Sequence, residues 1–575
     1  MNKLAFSKLW SAAFGFALLA AGGLRAEGPA HPNLLFIFPD QMRLHAMGIW
    51  REPGYDALLR TAGDPVYTPN LNQLAKEGLL FTQACSTRPV CSPYRAMMIS
   101  GMYPGRNGVS QNCMIGRNEG LRHDVPMFTD LLAAAGYETG YLGKTHWEKT
   151  EAHFDINGTY VGPGGGYTIN DFDTYIPPGV GRHGNQFWFQ HLGDDHHDAM
   201  SYSSEPFLIA GKADGEQHRA ARFALEEEAD IIVDFIHNAH GERDPAKPFS
   251  MFWAPNPPHS PYSSLADVDP DVYNAYYATN SIANLAVRSN VDIATASQYI
   301  RYYFSLVTSV DQHIGRVLQA LEDSGQATNT IVVFTADHGD MMGSHGLTGK
   351  NIIYDEAFLI PFILRCPGVA HRVEDLRITP VDLLPTLMSL MGLKDQIPLS
   401  VQGFDYAQGI RNNDWSAQPK PASALYRKNK EAGVRTSQYS YLVKDTGATE
   451  LYDLVTDPYQ MTNLSTVSIP AGDLAFLKSE LGWWLKKSED EWYLSQSLTT
   501  RITYPGSDTF NLAIDPQQVT FEVPKNGTVR VEAKAQLTDT TWQTAGTYLS
   551  PNFSSRQAHP INPTNSSGYF RVVRD

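Results

Sequence analysis

Three stretches of the chain have the pattern of strands in a buried parallel sheet. Residues 33–38 and 330–335 are apolar runs, which are typical of strands covered on both faces. Apolar positions at helical spacing mark 128–135 and 310–321 as helices, and residues 138–142 follow the first of these as a third strand. Strands that alternate with helices predict an α/β fold with a central sheet.

Polar side chains follow each of the three predicted strands. Parallel sheets place their ligand sites at the carboxyl ends of the strands, so we expect these side chains to meet. They are Asp40 and Gln41 after 33–38, Lys144 and His146 after 138–142, and Asp337 and His338 after 330–335.

The donor atoms in this set indicate a metal site. Asp40, Gln41 and Asp337 offer oxygen ligands and His338 adds a nitrogen, a set that favours Ca²⁺, Mg²⁺ or Mn²⁺ over a softer metal. Taken singly, each Asp could instead cap the following helix, and His338 could be structural. The recurrence of the pattern on two strands favours the metal interpretation.

Composition narrows the class of protein. With 42% hydrophobic and 18% charged residues, a large core can form and global disorder is excluded. The 45 Lys and Arg are outnumbered by 61 Asp and Glu, so nucleic acid is not the expected partner. An anionic substrate therefore needs a local positive site. Four Cys do not make a disulfide scaffold, although one Cys85–Cys113 bond is compatible with an exported protein.

The first 26 residues have the order of a secretory signal peptide. Lys3 and Lys8 precede an apolar run from Trp10 to Leu19, and small residues lead to Ala26. The run is too short to span a bilayer comfortably, and no later run is long enough for a membrane helix. We expect export to the periplasm or the extracellular space.

The most specific pattern begins at Cys91. A lone Cys is most often a small buried hydrophobic residue, but this one opens a turn fixed by Pro93, with Arg95 in the helix that follows. A helix N-terminus and a guanidinium both stabilise an anion. At these residues the chain resembles the type I sulfatases, whose signature Cys-x-Pro-x-Arg and later Gly are matched here, with Gly101 as the last position.

Other motifs similar to those of this family follow in the same order, over about residues 30–495. They are Asp40, the Gly-Lys-x-His segment at Gly143 to His146, the Pro-His-x-Pro loop around His259, Asp337-His338-Gly339, the Gly-x-x-x-Lys segment from Gly346 to Lys350, and the strand-and-turn motif from Leu451 to Leu454.

The resemblance implies a fold and a domain order. The fold is an alkaline-phosphatase-like α/β sandwich with a central mixed sheet, a smaller C-terminal α+β subdomain and a β-rich C-terminal extension. We expect a signal peptide at 1–26, a catalytic domain at 27–415, the subdomain at 416–495 and the extension at 496–575. In the extension, alternating residues 519–523 and 529–533 flank Pro524 to Gly527, which predicts a hairpin.

The resemblance also implies hydrolysis of a sulfate ester with a formylglycine nucleophile. A maturation enzyme would convert Cys91 to formylglycine, whose hydrated aldehyde attacks sulfur. The same group would join the metal ligands Asp40, Gln41, Asp337 and His338 around one divalent cation, Ca²⁺ first and Mn²⁺ or Mg²⁺ next. A sulfated small molecule or oligosaccharide is the expected substrate.

The remaining family positions receive roles by the same resemblance. Arg95 and Lys144 would hold the second hydroxyl of the nucleophile and the anion beside the metal. His259 and Lys350 would contact the sulfate and protonate the leaving alcohol. His146 would remove the proton of the second hydroxyl and so expel sulfate.

Two departures keep other functions open. Many sulfatases have Asp where this chain has Gln41 and Asn where it has His338, and the combination resembles choline sulfatases and phosphonate monoester hydrolases. A phosphonate monoester or phosphodiester hydrolase is therefore the alternative enzyme. A non-catalytic protein that binds sulfated glycans is the alternative from another class, but binding alone needs no proton donor.

A cluster of His and Asp between His191 and Asp198 invites a second metal interpretation. It falls in a Gly-rich region, 157–215, without an evident helix or strand, so a solvated loop is the expectation. If the cluster is functional, we expect substrate contact at the rim of the pocket, aided by Trp188 or Arg182.

Overall fold

The computed structural model describes residues 31–490 apart from 115, 151–173, 205–206, 208, 417 and 465–468, and it describes the backbone of six strands between 513 and 574. The expected signal peptide at 1–26 lies outside the described residues. Among the described residues, no helix combines the length and the apolar character that a membrane crossing requires.

The described chain alternates strands and helices up to residue 412 and then changes to mainly antiparallel strands. The strands are β1 (Asn33–Ile37), β2 (Leu79–Phe81), β3 (Glu138–Lys144), β4 (Phe187–Leu192), β5 (Met200–Ser203), β6 (His218–Arg219), β7 (Phe249–Ala254), β8 (Thr330–Thr335), β9 (Phe362–Arg365), β10 (Arg372–Glu374), β11 (Ala424–Lys428), β12 (Glu431–Arg435), β13 (Tyr439–Lys444), β14 (Thr449–Asp453), β15 (Ala513–Asp515), β16 (Gln518–Val523), β17 (Gly527–Lys534), β18 (Gln543–Ser550), β19 (Ser555–Pro560) and β20 (Tyr569–Arg574).

The helices pack between and around these strands. They are α1 (Pro69–Glu77), α2 (Cys91–Ser100), α3 (Pro104–Asn107), α4 (Phe128–Ala134), α5 (Ala224–His237), α6 (Pro270–Tyr276), α7 (Ile282–Leu285), α8 (Ile293–Ala296), α9 (Ile300–Asp323), α10 (Asp355–Phe358), α11 (Pro380–Leu390), α12 (Ala407–Asn412) and α13 (Ala471–Lys487), with 3₁₀ turns at Gly48–Arg51, Val180–Arg182, Leu265–Asp267, Ala327–Asn329 and Lys394–Gln396.

A ten-stranded sheet in the order β10-β2-β9-β8-β1-β7-β3-β4-β5-β6 forms the centre of the fold. Strands β8, β1, β7, β3 and β4 are parallel to their neighbours in this run, whereas β9 and β5 pair antiparallel at its two sides. All five residues of β1 are buried, as the apolar run predicts. The central mixed sheet of the predicted fold class is confirmed.

Helix α2 crosses the centre of the molecule with all ten of its residues buried. It ends at Gly101, which adopts φ +64°, a conformation that glycine takes without the strain imposed by a Cβ. A Cβ at this position would also lie 3.0 Å from the side chain of Val401. Ser100 is therefore the last residue of α2, and Cys91 lies at the other end of the helix.

A second, smaller sheet follows in the order β11-β12-β13-β14, all antiparallel. Helix α13 covers it, and their shared core includes Val434, Leu477 and Trp484. Met97 of α2 and Val381 of α11 belong to the same core, so the small sheet is packed directly onto the large domain. This is the predicted C-terminal subdomain; its boundary at residue 416 stays a prediction.

The extension contains strands, but the predicted hairpin is wrong. Strands β16 and β17 cover the two predicted segments, yet β16 pairs with β15 and β19, whereas β17 pairs with β18 and β20. Consecutive strands can pair or can enter two different sheets. Alternation of side chains identifies a strand and its faces, but it does not identify the neighbour.

Candidate active site

The carboxyl ends of four parallel strands lie level at one edge of the large sheet. Ile37 of β1 is opposite Phe334 of β8 and Trp253 of β7, and Ala254 of β7 is opposite Gly143 of β3. The residues that follow these strands therefore meet above α2. This brings Asp40, Lys144, Asp337 and His338 together, in the arrangement that the sequence pattern predicts.

Four fully buried side chains form what we call the floor of the site: Asp40, Arg95, Asp337 and His338. One guanidinium nitrogen of Arg95 lies 3.3 Å from Asp40 Oδ2 and 3.0 Å from Asp337 Oδ2. His338 Nε2 lies 3.4 Å from Asp40 Oδ1 and 3.5 Å from Asp337 Oδ1. The Arg95 guanidinium also donates to the carbonyl oxygen of Lys144, which ties the floor to the end of β3.

Cys91 lies directly over this floor, at the N-terminus of α2. Its Sγ is 3.4 Å from His338 Nε2, 3.8 Å from Asp40 Oδ1 and 3.2 Å from Lys350 Nζ. Burial and Asp40 raise the pKa of the thiol, but Lys350, Lys144 and His338 outweigh them and hold it well below its ordinary value. The position therefore stabilises negative charge on the atom attached to the Cβ of residue 91.

The two floor carboxylates respond differently to their surroundings. Burial raises the pKa of Asp40, but Lys144, His259 and Lys350 outweigh it and hold that pKa well below the ordinary range. Burial and the neighbouring charge of Asp40 together raise the pKa of Asp337. A cation between the carboxylates would offset the cost of burying their charges and would reduce the repulsion between them.

The donor set at the floor fits a divalent metal ion. Ligand atoms of Asp40, Cys91, Asp337 and His338 all lie within 4.8 Å of one another, and all four residues are buried. Two carboxylates and one imidazole are suitable donors, and an oxygen in place of the Cys91 sulfur would make the set richer in hard ligands. These residues would hold the metal that the sulfatase resemblance implies.

Gln41 faces the same space from a strained backbone position, with φ 69°. Its Oε1 accepts a hydrogen bond of 2.7 Å from Lys350 Nζ, and its amide nitrogen donates to Asp340. Tyr262 also donates to Asp340, at 2.8 Å. The Gln41 side chain thus bridges Lys350 and Asp340, and its predicted role as a metal ligand stays a prediction.

Three partly exposed side chains form what we call the rim: Asp194, His259 and Lys350, with exposed side-chain fractions of 26%, 12% and 18%. His259 Nδ1 lies 3.3 Å from Asp194 Oδ1 and 2.8 Å from the carbonyl oxygen of Ser260. Both oxygens only accept hydrogen bonds, so Nδ1 carries a proton and Nε2 is the nitrogen available to a substrate.

Lys144 connects the floor to the rim. Its Nζ lies 2.9 Å from Asp40 Oδ2 and 3.3 Å from Asp194 Oδ1, and it donates to Asn256 Oδ1 at 3.2 Å. Burial lowers the pKa of Lys144, but Asp40 and Asp194 outweigh it and raise that pKa well above its ordinary value. Lys144 is therefore a permanent positive charge inside the site.

His146 is buried beside α2, in the left-handed region with φ 52°. Its Nε2 lies 3.1 Å from the carbonyl oxygen of Cys113. Because a carbonyl only accepts, Nε2 carries the proton in the neutral ring and Nδ1 is the basic nitrogen. The ring is thus in the tautomer that a base acting through Nδ1 requires, although its predicted role stays a prediction.

The expected loop between His191 and Asp198 is partly wrong. His191 belongs to β4 and lies buried 3.5 Å from Glu228, and His196 and His197 contact the carbonyl oxygens of Asp267 and Val268. These side chains do not gather around one point, because backbone and core contacts hold each of them separately. Asp194 alone of the cluster reaches the rim.

The two side chains proposed to aid substrate contact are not at the rim either. Trp188 is buried in β4, all of whose residues are buried, and Arg182 is buried against it, with its guanidinium 5.3 Å from the Trp188 ring. Arg182 also forms an ion pair with Asp214 at 2.7 Å. Both residues therefore contribute to packing.

Sequence reasoning did not propose Asn256 or Asp340 as members of the site, and it favoured a solvated loop over substrate contact for Asp194. A signal was available for Asp194, since β4 is parallel to β3 and Asp194 follows its carboxyl end. Asn256 likewise follows β7, and Asp340 follows Asp337 by three residues. The rule that found Asp40 and Asp337 applies to all three.

The suggested Cys85–Cys113 disulfide is absent from the described part of the chain. Cys85 bridges to Leu359 through its backbone, and burial raises the pKa of its thiol to about 12. The backbone N–H of Cys113 instead donates a hydrogen bond of 3.0 Å to Ser92 Oγ in α2. Different neighbours in the fold hold the two thiols.

Family comparisons agree with this architecture. The family model described as "Sulfatase" matches residues 32–393, and the model described as "N-sulphoglucosamine sulphohydrolase, C-terminal" matches 343–481. An endo-4-O-sulfatase of Bacteroides thetaiotaomicron is 35% identical over 85% of this chain and 100% of its own length. An ulvan-active sulfatase of Formosa agariphila is 29% identical over 76% of this chain and 78% of its own length.

Solved structures give the same result. A Bacteroides thetaiotaomicron structure associated with the metabolism of multiple glycosaminoglycans matches with TM-score 0.75 and 34% identity, covering 82% of this chain and all of its own. A phosphonate monoester hydrolase of Agrobacterium radiobacter matches with TM-score 0.55 and 20% identity, over 80% of this chain and 96% of its own. The second likeness shows the fold alone.

Proposed function

Because this chain belongs to the sulfatase family and is a sulfuric ester hydrolase, we propose that it removes a 4-O-sulfate from a polymeric sulfated glycan, using a nucleophile made from Cys91. The proposal that Cys91 gives rise to the nucleophile rests on the position of this residue. It begins α2 beside Lys350 and His338 and over two buried carboxylates. Burial raises the pKa of the Cys85 and Cys366 thiols, so neither of these two is a comparable nucleophile.

We propose that a maturation enzyme converts the CH₂SH group of Cys91 to an aldehyde: the C–S bond breaks, the sulfur leaves as sulfide, water supplies the aldehyde oxygen, and an oxidant that the maturation enzyme provides takes up the two electrons. The Cys91 sulfur then stands in for one hydroxyl oxygen of the hydrated aldehyde. Lys350 and His338 are positioned to stabilise negative charge on that oxygen, as they do on the thiol. Activation of a weak nucleophile by neighbouring positive charge is a general requirement of covalent catalysis.

Asp40, Asp337 and His338 are the residues that would hold a divalent cation, together with the modified Cys91 and, by our prediction, Gln41. A bound cation would supply positive charge that polarises sulfate oxygens and favours the ionised nucleophile. We propose Ca²⁺ first and Mn²⁺ or Mg²⁺ next, because the carboxylate donors are hard. Arg95 pairs with both floor carboxylates and Lys144 pairs with Asp40, so these cations hold the carboxylates in position.

We assign proton transfer to two histidines, His259 and His146. His259 offers Nε2 toward the substrate, since Nδ1 is held by Asp194 and by the Ser260 carbonyl. It would protonate the leaving sugar oxygen while Lys350 holds the sulfate. His146 would then take the proton of the remaining hydroxyl through Nδ1, and sulfate leaves.

The substrate class rests on the relatives and on the sequence. The relative matched over its whole length is named an endo-4-O-sulfatase, and another is named for activity on ulvan. A glycan polymer reaches an exported enzyme more readily than one inside the cell. We therefore propose removal of residues 1–26 and export to the periplasm or the extracellular space.

The test uses the mature enzyme on matched sulfated glycans. Polymers and disaccharides that carry a single 4-O, 6-O, 2-O or N-sulfate would be incubated with it, and released sulfate would be followed by ion chromatography. We expect the 4-O-sulfated polymer to be desulfated fastest, at least about tenfold in kcat/KM over the others, a preference of about 1.4 kcal/mol. Peptide mass spectrometry should find the aldehyde or its hydrate at residue 91.

Two controls separate the parts of this proposal. Cys91→Ala should leave folding intact and abolish turnover, whereas unmodified Cys91 at full activity would contradict the nucleophile. An aryl sulfate and a phosphonate monoester with the same leaving group test the reaction class. A preference of more than tenfold for the phosphonate would replace the sulfatase proposal with the alternative that Gln41 and His338 suggest.

A further inference from the structure

A second group of metal-ligating side chains lies outside the site described above. We call His123, Glu148 and His183 the peripheral histidine cluster. Glu148 comes four residues after the end of β3, and His183 follows the 3₁₀ turn Val180–Arg182. The segment that leads to His123 runs beside the residues after β3, since the Leu121 amide donates to the carbonyl oxygen of Trp147 at 2.8 Å.

The three side chains converge on one point. His123 Nε2 lies 2.8 Å and 3.1 Å from the two oxygens of Glu148, and His183 Nε2 lies 3.8 Å from Glu148 Oε1. One ligand atom from each residue falls within 4.8 Å of the others. Ligand atoms around a tetrahedral zinc ion, with bonds of about 2.0–2.2 Å, are about 3.3–3.6 Å apart. Small side-chain movements would produce that spacing.

His183 supplies an independent indication of a ligand. Its side chain is 2% exposed, and its Nε2 has no hydrogen-bond partner although it is buried. Its Nδ1 lies 3.3 Å from Asp130 Oδ2, an oxygen that also accepts from the Met127 amide. A carboxylate only accepts, so Nδ1 carries the proton and Nε2 presents a lone pair. An imidazole held by a carboxylate through its other nitrogen is the usual arrangement of a metal-binding histidine.

We propose that His123, Glu148 and His183 bind one zinc ion, with the fourth position open to water on the exposed side of His123. Two imidazoles and one carboxylate suit zinc, whereas the oxygen-rich floor suits a harder cation. The ion would replace the proton that His123 now shares with Glu148. It would join the segment after β3, which carries His146, to the turn at 180–183.

The charge environment agrees with this geometry. Burial raises the pKa of Glu148, and the hydrogen bond and charge of His123 offset it only in part. A cation at bonding distance stabilises the charged form of a largely buried carboxylate of this kind. Asp130, by holding His183, is a positioning residue in this arrangement.

The test is metal binding by the full-length chain in a Cys91→Ala background, which removes the thiolate from the floor. The protein would be chelated, reloaded with Ca²⁺ and titrated with Zn²⁺ by calorimetry, and then with Co²⁺ by visible absorption. We expect one zinc per chain, a tetrahedral cobalt spectrum and a zinc-dependent rise in melting temperature. His123→Ala and Glu148→Gln should each weaken zinc at least about 100-fold.

His123 is 36% exposed on its side chain, so His123→Ala should fold normally. His240→Ala is the matched control, since His240 is 71% exposed and lies 3.6 Å from Asp234, and among the described residues the two have no third ligand; this variant should bind zinc as the parent does. Absence of saturable zinc binding would overturn the proposal, and so would equal affinity in the parent, His123→Ala and Glu148→Gln. Neither result bears on the sulfatase reaction, which is measured separately.

Discussion

The floor and the rim of the active site are both charged, but the fold holds them in different ways. Floor side chains are fully buried, and each contacts at least two others across strand ends and α2. Rim side chains are partly exposed and come from segments that follow or connect strands. The floor is therefore part of the folded core, whereas the rim can vary with substrate at little cost in stability.

The largest expected effect comes from removing the guanidinium of Arg95 from the floor. Arg95→Ala leaves Asp40 and Asp337 buried without their shared partner, and breaking a buried ion pair on one side costs roughly 3–5 kcal/mol. We expect a loss of that size in the free energy of unfolding, measured by urea denaturation after chelation. Turnover should fall below detection, because the floor loses its arrangement.

Arg222→Ala is the control for this effect. Arg222 forms an ion pair with Glu226 at 2.7 Å, and both side chains are more than 40% exposed. Such a pair is worth about 0–1 kcal/mol. If Arg95→Ala costs no more than Arg222→Ala, the floor does not contribute to stability as argued.

This difference between floor and rim also determines what sequence could predict. Asp40 and Asp337 were predictable because each follows an apolar strand run, and parallel strand ends meet. Lys144 follows from the same rule, whereas the place of Arg95 in the site came from the motif that the family resemblance identified. The central sheet was predictable for the same reason, since strands buried on both faces have an unambiguous pattern.

The rim was less predictable because its strand signal is weaker. Residues 187–192 form β4, but its apolar run is only three residues long before Gln190 and His191, and it lies inside a Gly-rich region, so the strand signal is short. Asp194 was therefore assigned to a solvated loop. The pairing of strands could not be predicted either, as β16 and β17 demonstrate. Side-chain periodicity identifies the two faces of a strand, but only the complete fold determines which strand lies beside it.

Lys350→Ala should have the largest effect among rim substitutions. Lys350 Nζ lies 3.2 Å from Cys91 Sγ and 2.7 Å from Gln41 Oε1. Losing one preorganised donor at a developing charge costs roughly 10²–10³ in kcat. We expect that loss in steady-state kinetics, with a rise in KM for the anionic substrate.

Stability distinguishes this rim effect from a floor effect. Lys350→Ala should change the free energy of unfolding by less than about 1 kcal/mol, as expected for a partly exposed pair. Lys430→Ala is the control, since its side chain is 77% exposed and lies 3.2 Å from Asp445; it should alter neither quantity. Destabilisation on the scale of Arg95→Ala would place Lys350 with the floor.

The smallest effect is expected at Asp194, which acts through His259. Burial raises the pKa of Asp194, but His259 and Lys144 outweigh it and lower that pKa, so the residue is ionised at neutral pH. Asp194→Asn keeps an oxygen that can accept from His259 Nδ1 and should lose about tenfold in kcat; Asp194→Ala should lose up to about 100-fold, within the range of general-acid catalysis.

The informative measurement compares a sugar sulfate with an aryl sulfate whose leaving group needs no protonation. If Asp194 positions a general acid, both variants lose more on the sugar sulfate, and the Asn variant recovers part of the loss. Equal losses on the two substrates would mean that Asp194 serves only to balance the charge of Lys144.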